Sequence, residues 1–148
     1  MKGRDPGSGK GVVLYLHIDG ASKGNPGEAG AGIWIADGEG KKIFEMSRYL
    51  GHRTNNEAEY WALVLGLREA KRLGGESVRI FTDSELVERQ LNGLYRVKNP
   101  SLKVLHASVM KHLQQFSSYV VESVPREENR EADRLANLAV EKARLLKD

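Results

Sequence analysis

Four acidic residues stand where acids are uncommon. Asp19 closes an apolar run, VVLYLHID, and is followed by Gly20; Asp83 closes a second run, SVRIFT. A carboxylate at the C-terminal end of a sheet strand is where α/β proteins put ligand chemistry. Glu59 lies one turn into an apolar helical run, within NNEAEY. Asp133 lies one turn into the last such run, on a polar stripe with Asn129 and Asn137 at i, i+4 and i+8. Each acid alone has a plainer account: Asp19 and Asp83 as caps, Glu59 as a helix-dipole partner, Asp133 as part of a solvated face. Gathered at one point, four carboxylates repel one another unless cations neutralise them. Hard divalent ions such as Mg²⁺ take carboxylate oxygen and water. Two such ions about 3.5–4 Å apart can clamp the attacking and leaving oxygens of a phosphodiester displacement, one acidifying a water and the other stabilising the departing oxygen. Such chemistry needs no Cys, Ser or His nucleophile. The chain has no Cys, which excludes disulfides and thiolate zinc sites.

The elements that must position these acids follow from periodicity. Val12 to Asp19 alternates as a strand that is apolar on both faces, hence central. Gly20 to Gly30 is a Gly, Ser, Asn and Pro cluster and predicts a turn. Ala31 to Ala36 and Ile43 to Leu50 predict two further strands joined through Asp37-Gly38, completing a meander. Thr54 or Asn55 caps a helix to about Leu73, with Ala58, Ala62, Leu65 and Leu63, Leu67, Ala70 at helical spacing and Gly74-Gly75 as its stop. A strand over Ser77 to Thr82, a short helix over Ser84 to Leu91, a helix over Ser101 to Phe116 and a strand over Tyr119 to Val124 come next. The final helix runs from about Glu128 to Leu146, with Ala132, Leu135, Ala136, Ala139, Ala143 and Leu146 as its apolar stripe. The order β-β-β-α-β-α-α-β-α implies an α/β domain with a mixed sheet and helices on its faces.

The 148 residues are enough for one domain with its own core. No apolar run approaches a membrane span, and the first residues carry no apolar signal stretch; the cytoplasm is the expected compartment. Residues 1–11, MKGRDPGSGKG, read as a flexible leader or tag remnant, leaving 12–148 as a single catalytic domain. The net charge of +3 permits a nucleic-acid partner but hardly argues for one.

Four blocks carry a family resemblance: IDGASKGNPGEAGAG (Ile18 to Gly32), TNNEAEYWAL (Thr54 to Leu63), FTDS (Phe81 to Ser84) and ENREADRLANLA (Glu128 to Ala139). In this order they resemble ribonuclease H type 1, over nearly all of Val12 to Leu146. The resemblance implies the ribonuclease H-like fold, a five-stranded mixed sheet with strand 2 antiparallel, flanked by helices. It implies that Asp19, Glu59, Asp83 and Asp133 are catalytic and hold two Mg²⁺ ions in the substrate complex, Mn²⁺ substituting. It implies hydrolysis of the RNA strand of an RNA–DNA hybrid, leaving 5′-phosphate and 3′-hydroxyl ends. Gly20, Asn25, Thr54, Asn55, Asn56 and Ser84 are the expected substrate contacts, with glycines admitting the backbone of a nucleic-acid strand. Double-stranded RNA is an open second substrate, and a monomer is expected.

The pattern departs from better-known members. The loop before the last helix, VPREENREAD, has no His where many have one, and Arg126, Glu127 and Glu128 stand there instead. Glu85 stands where a Gln often follows the Asp-Ser pair. The basic protrusion between the middle helices is reduced to Arg96 and Lys98, and a separate N-terminal hybrid-binding domain is not expected. The rival readings are a non-catalytic hybrid-binding module and another polynucleotidyl transferase of the same fold.

Overall fold

The computed structural model describes residues 11–147. Residues 1–10 of the expected leader lie outside the described residues. The chain order is β1 (Val13–Gly24), β2 (Gly27–Ala36), β3 (Lys42–Arg53), α1 (Asn55–Arg72), β4 (Ser77–Thr82), α2 (Glu85–Leu91), α3 (Pro100–Leu113), β5 (Ser118–Ser123), a 3₁₀ turn (Arg126–Glu128) and α4 (Arg130–Lys147). The five strands form one sheet in the order β3-β2-β1-β4-β5. β2 runs antiparallel to β1 and β3, while β4 is parallel to β1 and β5. The expected mixed sheet, with its second strand reversed, is the observed one.

The glycine-rich segment is where sequence and structure part. β1 continues through it to Gly24, and β2 already begins at Gly27, so the turn proper is Asn25-Pro26. Glycine in a strand commonly marks close approach by another backbone. At Gly32 a Cβ would sit 2.0 Å from the Ala132 carbonyl oxygen, so α4 lies almost on the strand. The small residues Ala132 and Ala136 on the facing side of α4 permit that contact, and both are fully buried.

α1 and α4 bury themselves differently. α1 is apolar almost all round, with Leu63, Val64, Leu65 and Leu67 buried, because the sheet covers one side and α3 another. Truncating one of these leucines to Ala costs about 2–5 kcal/mol. α4 buries a single stripe against β1, β2 and β3, while Arg130, Glu131 and Arg134 stay exposed. The stripe ends at Val140: Leu145 and Leu146 are 74% and 87% exposed, against the expectation that Leu146 packs. Among the described residues, none covers the last turn of α4 enough to bury these two leucines.

Capping fixes where the helices begin. The Thr54 hydroxyl accepts from the Glu57 N–H at 3.1 Å, and Glu57 Oε1 accepts from the Thr54 N–H at 2.8 Å, a complete capping box. Ser84 caps α2 by accepting from the Val87 N–H. Among the described residues, no helix is long and apolar enough to cross a membrane.

Candidate active site

The parallel ladder brings two of the acids level. β1 and β4 pair Val13 with Ser77 and His17 with Phe81. Carried two residues further, the same register sets Asp19 beside Asp83, on strands about 4.8 Å apart. Glu59 enters from above, one turn into α1. Its approach depends on Gly20, where a Cβ would lie 2.4 Å from Ala58 C and Glu59 N. The backbone of α1 requires a glycine here, in addition to any demand from an approaching nucleic-acid strand.

One carboxylate oxygen from each of Asp19, Glu59 and Asp83 lies within 4.8 Å of the others. Asp19 and Glu59 are buried, and the Asp83 side chain is only 11% exposed. Glu59 is held at both oxygens: Oε2 accepts from the Gly20 N–H at 2.8 Å and Oε1 from the Thr82 hydroxyl at 3.1 Å. Asp83 Oδ2 is buried without a hydrogen-bond partner and has an ion pair with the exposed Arg126, Nε at 3.7 Å. Asp133 does not join the tight group. It lines a hollow of about 180 Å³ with Asp19, Gly20, Lys23, Asn55, Arg126 and Asn137, and Asn137 donates to its carboxylate at 3.2 Å.

Burial dominates the electrostatics of this cluster. Burial, then the charge of Glu59, pushes the Asp19 carboxyl far above the carboxylate range. Burial likewise raises Glu59, against the pull of its hydrogen bonds. Burial raises Asp83 too, with Arg126 pulling the other way. Three acids that resist shared ionisation, one with an orphaned buried oxygen, form the donor set that a hard divalent cation satisfies.

Of the expected substrate contacts, Gly20 and Asn55 line the hollow that also holds Asp19 and Asp133. Asn25 Oδ1 accepts from the Asn55 N–H at 3.0 Å, tying the β1–β2 turn to the start of α1. Asn55 is exposed, Asn56 is half-buried beside it, and Thr54 and Ser84 serve as caps. Sequence reasoning missed two supports. The buried Asn129 donates from Nδ2 to the Ile18 carbonyl at 2.8 Å, stitching the start of α4 to the residue before Asp19. Thr82, fully buried, holds Glu59. An Asn just before a helix and a Thr ending a strand each look like ordinary boundary residues in sequence.

A sequence family described as reverse transcriptase-like matches residues 17–139. The bifunctional protein Rv2228c of Mycobacterium tuberculosis is 41% identical over 134 residues, 89% of this chain and 36% of that protein. Ribonuclease HI of Halobacterium salinarum is 37% identical over 134 residues, 90% of this chain and 67% of that protein. The crystal structure of LC11-RNase H1 in complex with RNA/DNA hybrid superposes with a TM-score of 0.83 at 39% identity, covering 89% of this chain and 98% of that one. The chain belongs to the ribonuclease HI family. It spans about a third (36%) of the length of the mycobacterial relatives it matches.

Proposed function

We propose that this chain hydrolyses the RNA strand of RNA–DNA hybrids, leaving 5′-phosphate and 3′-hydroxyl ends, with Mg²⁺ as its ion and Mn²⁺ as a substitute. The observation that carries the reading is the convergence of Asp19, Glu59 and Asp83 oxygens within 4.8 Å, with the two aspartates just beyond the last paired residues of the parallel strands β1 and β4. Divalent ions bound there would supply an acidified water and neutralise charge at the phosphate. Asp19, Glu59 and Asp83 would hold them from the floor of the site. Asp133 would complete the set from α4. Gly20, Asn25, Thr54, Asn55, Asn56 and Ser84 would meet the substrate: the capped start of α1 offers N–H groups to a phosphate, and the amides read a groove in which the 2′-hydroxyl tells RNA from DNA. Arg126 lines both the hollow beside Asp83 and the one beside Asp19 and Asp133, so it meets an incoming phosphate with positive charge. The enzyme would act as a monomer, in the cytoplasm.

The test is cleavage of an end-labelled hybrid with Mg²⁺ or Mn²⁺, with product ends mapped and initial rates compared on double-stranded and single-stranded RNA. The hybrid is expected to be cut best. Asp19→Asn should lower the rate by at least about a thousandfold, since it removes a carboxylate that binds the catalytic ions. Hybrid binding without cleavage by the intact chain would turn the reading into that of a binding module.

A further inference from the structure

Thr82 lies at the end of β4 with no exposed surface, and three elements meet on it. Its hydroxyl oxygen accepts from the Ser84 N–H at 3.0 Å. That contact turns the hydroxyl proton toward Glu59 Oε1, 3.1 Å away. Its carbonyl accepts from the Val124 N–H at 2.8 Å, just before the Pro125–Arg126 turn. The Ser84 N–H belongs to the turn that carries Asp83. One hydroxyl therefore links the two acids that arrive from α1 and β4.

A hydroxyl has a single proton to give. Here that proton is committed to Glu59, and one lone pair is committed to the turn beyond Asp83. The Gly20 N–H holds the other Glu59 oxygen, so the carboxylate plane is fixed from both sides. We infer that Thr82 is a positioning residue, setting the separation and orientation of Glu59 and Asp83 that the divalent cation requires. It contacts neither substrate nor the reacting atoms and acts through Glu59. This inference rests on the reading that Glu59 and Asp83 hold the cation. Groups that orient metal-binding side chains typically contribute about 10–100-fold to metal affinity.

The experiment is calorimetric titration of Mn²⁺ alone into the metal-free full chain, without nucleic acid, for wild type, Thr82→Val and Thr82→Ser. Valine keeps the shape and removes the hydroxyl; serine restores it. Thr82→Val should bind Mn²⁺ at least about tenfold more weakly, with Thr82→Ser within about threefold of wild type. On hybrid at saturating metal, the valine variant should lose kcat and keep KM. If valine prevents folding, Thr82→Ala makes the same comparison without crowding Ser84. Wild-type Mn²⁺ affinity in the valine or alanine variant, with wild type itself binding, would overturn the role of Thr82 alone. Absence of binding by wild type would instead remove the metal site, and this inference with it.

Discussion

Asp83→Asn should raise the stability of the metal-free protein while nearly abolishing cleavage. The exchange is close to isosteric and removes one charge from the cluster. At the 4.8 Å limit of the cluster, two full charges repel by roughly 3 kcal/mol at an effective dielectric constant of 20. Asp83 has two such neighbours, but incomplete ionisation of Asp19 and Glu59 reduces that repulsion. The ion pair to Arg126 is lost as well, yet the Arg126 side chain is 75% exposed, which limits the loss to under about 1 kcal/mol. The net expected gain is about 1–3 kcal/mol, an upward shift in Tm of several degrees, roughly 3–8 °C. Asp83 titrates above its ordinary value in the folded state, so the stability linked to its protonation is complete below about pH 4 and disappears as pH rises through the folded value. The advantage of the Asn variant should therefore grow from pH 4 to pH 8. The assay is thermal unfolding in EDTA across that range, repeated with Mg²⁺, which should stabilise wild type more than the variant. A variant less stable than wild type in EDTA at pH 8, or an advantage independent of pH, would refute the idea that these acids crowd one another.

Other outcomes follow from single contacts. Asn129→Ala should cost about 1–3 kcal/mol in chemical denaturation, because it leaves the buried Ile18 carbonyl without its donor. Its cleavage rate should also fall, since Ile18 precedes Asp19. Gly32→Ala should destabilise by more than about 3 kcal/mol or prevent folding: its Cβ would stand 2.0 Å from the Ala132 oxygen, and two backbones would have to separate. Tyr60→Phe removes a buried hydroxyl that donates to Gln90 Oε1 at 2.6 Å and should cost about 1–2 kcal/mol by urea titration. Leu146→Lys should leave Tm within about 1 °C of wild type, since the side chain is 87% exposed.

Much of this architecture is legible in sequence because period and punctuation agree. α1 announces itself through its cap at Thr54, its apolar repeat and its stop at Gly74-Gly75. β4 is found at its observed bounds because SVRIFT is short, apolar and bracketed. The stretch from Gly20 to Gly30 misleads because glycine serves two purposes. Read locally it signals a turn; in the fold it lets α1 and α4 press against the strands, a demand set by residues 38 and 106 positions away, Ala58 for Gly20 and Ala136 for Gly30. Asp19 and Asp83 could be picked out because acids that close apolar runs are anomalous, and Glu59 because it lies inside an apolar helical run. Their spacing in space could not, since it comes from strand register. Thr82 was invisible for a related reason: its partner is 23 positions away, and a strand-ending Thr is common. Leu146 was misjudged because helical periodicity says which residues share a face, and says nothing of where the sheet beneath that face ends.

The stitch from Asn129 to Ile18 joins points 111 residues apart. It forms only once the start of α4 has reached the edge of β1. Asn129 follows all five strands in the chain, so the whole sheet is synthesised before the residue that ties Ile18, beside Asp19, to the start of α4. A chain ending at β5 would carry Asp19, Glu59 and Asp83 but lack the clasp that holds the residue beside Asp19.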